Sequence, residues 1–198
     1  MRTVGWAALR LKPGWAANRR PLPRLWLFSD PARLPDPRAA AARLPRGAGV
    51  VARGMAPALL ESLARQHRRR GPLLLGGTPR LALALRAGLH WPDRPVGAGV
   101  AAFRLARRAG APGALLSMAA HGPAGLRRAR RQGADLVFLS PLFPTPSHPG
   151  APSLGPFRWA ARARRARLPV AALGGILAAN ARRVPPPCCG LAAITALA

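Results

Sequence analysis

The chain has 198 residues, and about 100–150 is the commonest domain size, so one domain with its own core is expected. A bilayer span needs about 18 uninterrupted apolar residues, and the sequence contains no such run, so no transmembrane segment is expected. The formal charge of +27 invites a polyanionic partner, but it comes with a joint excess of Ala, Arg, Pro and Gly and with Lys12 as the sole lysine. That skew reads as compositional bias. It sets specific nucleic-acid binding behind an enzymatic reading and leaves weak, salt-sensitive association with polyanions open.

Residues 1–23 carry Arg2, Arg10, Lys12, Arg19 and Arg20 with Trp6 and Trp15, and no acid. They lack the apolar stretch of about 7–15 residues that a secretory signal requires. An amphipathic targeting peptide stays open, but the preferred expectation is an N-terminal extension covering the bottom of a domain formed by residues 24–198.

From Leu25 onward, short apolar runs alternate with Ala/Arg-rich segments of helical spacing, the pattern of repeated βα units around a parallel sheet. The expected strands are Leu25–Phe28, Gly49–Ala52, Leu73–Leu75, Gly88–His90, Ala114–Ser117, Leu136–Leu139, Val170–Leu173 and Leu191–Ile194. Eight runs suit a closed α/β barrel, (β/α)8, better than an open doubly wound sheet. Leu59, Leu60 and Leu63 mark one helical face. Another helix opens at Thr78-Pro79, carries Leu81 and Leu85 one turn apart, and ends before Gly88. Between Gly122 and Gln132, four arginines surround Leu126 and Ala129, as on a solvated outer face. Cys188 and Cys189 have no partner at ligand spacing, so they read as small buried residues, with no metal site and a reducing, cytoplasmic setting. A chain of about 200 residues is at the lower limit for this barrel. It ends at Ala198 without room for an eighth helix, a gap the extension is expected to cover.

The run from Gly133 through Asp135, Pro141, Phe143, Thr145 and Ser147 to Pro149 resembles the sixth strand and loop of the thiamine phosphate synthase / thiazole tautomerase family. Leu168–Ile176, with its Gly174-Gly175, is similar to that family's seventh strand, and Gly190–Thr195 to its eighth. Leu25–Asp30 and Val51–Arg53 match the first two strands more thinly. The resemblance implies a TIM barrel and a role in thiamine biosynthesis. It assigns Gly174, Gly175, Ile194 and Thr195 to a phosphate, and Arg53, Pro141, Phe143, Thr145 and Ser147 to substrate contact. Independently of the family, the loops after strands seven and eight of such barrels commonly bind phosphate through backbone N–H groups, which glycine lets approach closely.

Four positions depart from the synthase pattern. Arg53-Gly54-Met55 lacks its lysine, Gly76-Gly77 replaces Asn-Asp, His90-Trp91-Pro92-Asp93 retains a carboxylate only if the loop shifts, and Ser147-His148 replaces Thr-Lys. Few carboxylates therefore remain for the Mg²⁺ that a synthase uses. His121 lines up with the acid/base histidine of the tautomerase branch, and histidine suits proton transfer near neutral pH. His148 is either a second catalytic candidate or a loop residue, while His67 and His90 read as structural. The leading expectation is a thiazole phosphate tautomerase acting without a cofactor on a small phosphorylated thiazole. The alternatives are a Mg²⁺-dependent synthase rebuilt around Arg53, Asp93 and His148, and a non-catalytic, arginine-rich polyanion-binding barrel. No membrane partner is expected, and a homo-oligomer is left open.

Overall fold

Apolar runs of four or five residues, set between Pro, Gly and Arg, become strands buried on both faces, as parallel strands wrapped by helices must be. The structure, a computed structural model, describes residues 3–145, 150 and 152–198. Its strands are β1 (Leu25–Phe28), β2 (Gly49–Ala52), β3 (Leu73–Gly76), β4 (Gly88–Trp91), β5 (Leu116–Ala120), β6 (Leu136–Leu139), β7 (Val170–Leu173) and β8 (Gly190–Ala193). Each pairs in parallel with the next, and β8 closes on β1 with Leu25 beside Leu191 and Leu27 beside Ala193. The architecture is the expected (β/α)8 barrel.

The helices are α1 (Val4–Ala8), α2 (Arg38–Arg43), α3 (Pro57–His67), α4 (Pro79–Ala84), α5 (Ala98–Arg108), α6 (Pro123–Arg131) and α7 (Gly155–Ala166). After β7 and β8 the chain makes short 3-10 turns at Ala181–Arg183 and Thr195–Leu197. Among the described residues, no helix is long and apolar enough to cross a membrane.

The two faces of each strand feed two apolar layers. Leu25 and Leu27 point out to the helices, whereas Trp26 and Phe28 point in, joining Val51, Leu74, Phe138 and Ala192 in the barrel interior. The interior is tied together by edge-to-face rings: Phe28 to Phe138 at 4.8 Å, Phe28 to His90 at 5.4 Å and Trp26 to Phe138 at 5.4 Å. Such pairs contribute about 0.5–1.5 kcal/mol each beyond burial.

The N-terminal segment covers two surfaces. Ala16 and Leu22 complete the interior cluster, and the Ala17 N–H donates to Asp135 Oδ1 at 3.0 Å just ahead of β6, so this stretch lies across the bottom of the barrel. Helix α1 instead packs on β8, its Val4, Ala7 and Ala8 buried in the outer layer with Leu25 and Leu191. It thereby covers the outer face of β8.

Asp135 is 5 % exposed and accepts bonds from the Ala17 N–H, from the Leu116 N–H at 2.9 Å and from the Arg107 guanidinium. The Gly-Ala-Asp stretch of the sequence thus staples the extension, β5 and α5 together at the bottom of the barrel.

Several boundaries differ from the sequence reading. The fifth strand runs Leu116–Ala120 where Ala114–Ser117 was expected, because Gly113, at φ 73, turns the chain and the strand starts only where Leu116 meets β4. The eighth runs Gly190–Ala193, since Ile194 leaves extended geometry at φ −103, ψ −86. Helix α3 buries Leu60, Leu63 and His67, leaving Leu59 at its margin. Gly88 is a strand residue; the left-handed position after α4 falls to Arg86, at φ 53. The arginine-rich α6 is only partly a solvated face, because Arg128 is half-buried in an ion pair with Asp93. Cys188 and Cys189 are free and buried, and burial pushes their thiols up to about 11 and about 12.

Candidate functional site at the barrel mouth

A residue that immediately follows a parallel strand is carried to the carboxyl end of the barrel, where such enzymes keep their chemistry. His121 follows β5 directly and is held at three points. Its backbone N–H donates to Asp93 Oδ2 at 2.8 Å, its carbonyl accepts from Arg162 Nη1 at 3.0 Å, and its ring Nδ1 lies 3.1 Å from both the carbonyl and the hydroxyl oxygen of Ser140. A carbonyl can only accept, so Nδ1 carries the proton toward Ser140. Nε2 then keeps its lone pair. No described residue bonds to it, and His121 is exposed at the mouth.

Ser140 leads into the sixth loop, and that loop is clamped to the seventh. The Leu142 N–H donates to the Leu173 carbonyl at 3.0 Å, and the Phe143 N–H to the Gly174 carbonyl at 3.1 Å. Gly174 and Gly175 adopt φ 94 and 64, which L side chains rarely tolerate. A Cβ on Gly175 would lie 2.2 Å from the Pro144 carbonyl oxygen, and one on Gly174 2.8 Å from Pro141 Cα. The sequence reading explained these glycines by approach to an anion; in the structure, close approach of one loop to the next already requires them. Asn180 fixes the same turn, donating from Nδ2 to the Gly175 carbonyl and accepting the Leu177 N–H at Oδ1, both at 2.8 Å.

These turns leave donors over. Among the described residues, nothing accepts a hydrogen bond from the backbone N–H of Gly174, Gly175, Ile194 or Thr195. The four lie at the ends of β7 and β8, which are paired neighbours in the sheet. His121, Pro141, Phe143, Gly174 and Gly175 therefore form one contiguous rim through the Ser140 and loop contacts, and Ile194 and Thr195 extend it by one strand. Phe143 is buried beneath the rim at 8 % exposure, and Thr145 is half-buried beside it. His148 and Ser147 lie outside the described residues.

Arg53 is not part of this rim. It follows β2 and folds back, donating from Nε and Nη2 to the Ser29 carbonyl at 3.2 and 3.1 Å, with its guanidinium 5.1 Å from the Phe28 ring centre and 3.5 Å from Asp30. Burial lowers its pKa, partly offset by Asp30. His90, below it, is sealed in the barrel with Nδ1 2.9 Å from Ser117 Oγ; desolvation, with a smaller push from Arg53, takes its pKa down to about 3. His67 is also buried, its Nε2 bonded to the Ala48 carbonyl at 3.2 Å.

The metal question turns on Asp30 and Asp93. Asp30 accepts from Arg33 Nε and Nη2, which holds it down at about 2. Asp93 was considered as a shifted metal carboxylate, but both its oxygens are committed, Oδ2 to the His121 N–H and Oδ1 to Arg128 Nη2 at 2.7 Å. Among the described residues, no three potential metal ligands come together. This donor set does not fit Mg²⁺, which takes one or two free carboxylates beside phosphate oxygens.

The sequence reading placed Asp93 only as a displaced metal carboxylate and gave Ser140, Arg162 and Asn180 no role at the site. Asp93 and Ser140 reach His121 across 28 and 19 residues of chain, a separation that no local pattern records.

Comparison with known proteins supports the same family. A family model described as thiamine monophosphate synthase matches residues 52–197. A curated protein of Geobacter sulfurreducens named as a thiamine-phosphate synthase is 37 % identical over 111 residues, covering 54 % of this chain and 49 % of its own. Another, from Aquifex aeolicus, is 33 % identical over 105 residues, covering 52 % and 53 % respectively. The chain thus spans about half the length of the curated relatives it matches. Among solved structures, thiamine phosphate pyrophosphorylase from Pyrococcus furiosus superimposes with a TM-score of 0.69 at 22 % identity, over 87 % of this chain and 85 % of that one, a likeness of fold.

Proposed function

The chain belongs to the thiamine monophosphate synthase family, and from that premise we propose that it isomerises a small phosphorylated thiazole, with His121 as general acid and base and no metal in the step. The observation that carries this reading is the three-point anchoring of His121, with Nε2 bonded to none of the described residues. The phosphate would sit on the unpaired N–H groups of Gly174, Gly175, Ile194 and Thr195, and Pro141, Phe143 and Thr145 would wall the ring. Residues 24–198 would form the catalytic barrel and residues 1–23 its brace.

The chemistry is redox-neutral. Nε2 takes a proton from one carbon of the conjugated thiazole, the C–H electron pair moves into the π system, and the imidazolium returns the proton to another carbon as the ring becomes aromatic. Ser140 would keep Nδ1 protonated throughout, so that Nε2 alone exchanges the proton. Asp93 and Arg162 act through the backbone of His121 and are positioning residues. His148 remains a candidate second acid or cation in the sixth loop, and Ser147 a candidate contact.

The names of the curated relatives favour a second reading, a transferase that joins a pyrimidine diphosphate to a thiazole phosphate. The committed carboxylates of Asp30 and Asp93 count against it. Purified protein should be given the thiazole carboxylate phosphate and followed by ultraviolet absorbance with and without EDTA, alongside a condensation assay containing Mg²⁺. EDTA-insensitive aromatisation supports the isomerase reading; condensation that EDTA abolishes, without aromatisation, replaces it with the synthase.

A further inference from the structure

A cavity of about 880 Å³ opens at the opposite end of the barrel from His121, lined by the residues that lead into β3, β4, β5 and β6 and by the N-terminal segment. Five arginines line it, Arg20, Arg68, Arg86, Arg107 and Arg108, against one carboxylate, Asp135. They come from distant parts of the sequence: the extension, the ends of α3 and α5, and the turn after α4. Arg107 is spent on Asp135 and on the Gly133 carbonyl at 2.8 Å. The side chains of Arg20, Arg68, Arg86 and Arg108 have no hydrogen bond or ion pair among the described residues. Leu22, Leu73 and Leu115 give the same cavity an apolar floor.

The cavity's volume falls within the roughly 300–1,000 Å³ of small-ligand pockets. Arg86 holds a left-handed φ of 53, as Arg19 and Arg167 do elsewhere, where glycine would be unstrained. No aromatic residue lines the cavity to stack bases, and the cations ring one pocket without extending as a stripe, so a compact ligand fits better than a polynucleotide.

We propose that this cavity binds an organic polyphosphate, a molecule with at least two phosphate groups for the four unpaired arginines and a less polar body for the leucine floor. The site lies apart from the mouth and does not depend on the isomerase reading.

ATP, inorganic tripolyphosphate and adenosine should be titrated calorimetrically into the full chain at about 0.15 M salt, where screening over about 8 Å suppresses diffuse attraction to the net charge. One ATP per chain is expected, with tripolyphosphate competing and adenosine silent. Arg86→Gly removes a cation while relieving strain, so it should melt no lower than wild type yet bind ATP at least tenfold more weakly when combined with Arg68→Ala. Arg127→Ala with Arg130→Ala, the same charge loss in the groove between α6 and α7, should leave affinity within twofold. Absence of saturable binding overturns the proposal, as does equal weakening by both pairs. Displacement of ATP by poly(U) at a single site per chain overturns it in favour of a polynucleotide.

Discussion

Acid should destabilise this barrel through His90 before its carboxylates respond. His90 is 3 % exposed, packed edge-on against Phe28 and Phe138, and burial takes its pKa from 6.5 down to about 3, with Arg53 acting in the same direction. The unfolded chain therefore binds a proton on this imidazole below about pH 6.5, and the folded chain only below about 3. Stability from the neutral ring is complete above the unfolded value and is lost as pH falls from about 6.5 toward about 3. One pKa unit is about 1.36 kcal/mol, so acidification to about pH 4.5, roughly two units below the unfolded value, removes about 2.7 kcal/mol. At about 2–4 °C per kcal/mol for a chain of this size, Tm falls by about 5–11 °C. His67, lowered first by burial, adds to the same slope. Asp30, held at about 2 chiefly by the Arg33 side-chain bond, contributes stability that disappears only below the ordinary 3.8. The assay is thermal unfolding by circular dichroism at about pH 7 and 4.5, for wild type and for His90→Gln, which retains a hydrogen-bonding group near Ser117. Wild type should lose about 2.7 kcal/mol more than the variant between the two conditions. Identical losses would refute the claim that His90 is carried neutral in the fold.

Asp135→Ala leaves the N–H groups of Ala17 and Leu116 and the Arg107 guanidinium without their acceptor. It should cost about 3–5 kcal/mol, or about 6–20 °C in Tm, and open the segment around Ala17 to proteolysis; a melt within about 2 °C of wild type contradicts the staple. Gly175→Ala forces a Cβ to 2.2 Å from the Pro144 carbonyl at φ 64, so urea unfolding should show a loss of at least about 1–3 kcal/mol. An unchanged midpoint would mean that the sixth and seventh loops are not clamped.

The sequence and the structure agree most closely where burial is two-sided. Leu25–Phe28, Gly49–Ala52, Leu136–Leu139 and Val170–Leu173 are strands to the residue, because each is an apolar run buried on both faces and closed off by Pro, Gly or a polar residue. The fifth strand slipped because its later part, Met118-Ala119-Ala120, is too small and featureless to signal a strand by side-chain type, whereas Ala114-Leu115 before it looked apolar enough to start one. At the mouth, His121 and the Gly174-Gly175 turn were visible as motifs. Their supports were not: Asp93, Ser140 and Arg162 act on His121 through contacts made only when β4, β5, β6 and α7 are side by side. The extension was expected at the bottom of the barrel, and residues around Ala16 and Leu22 lie there. The packing of α1 on the outer face of β8 becomes apparent only when the barrel closes.

The central claim is that His121 moves the proton. Its most direct test is the aromatisation rate of the thiazole carboxylate phosphate by wild type, His121→Gln and His148→Gln, measured with thiazole phosphate affinity by calorimetry on the same preparations. His121→Gln should retain the fold and the phosphate affinity while the rate falls by about 10²–10⁴, the usual contribution of a positioned general acid/base. Equal rates in wild type and His121→Gln, or a loss confined to His148→Gln, would contradict the account and move the chemistry away from the end of β5.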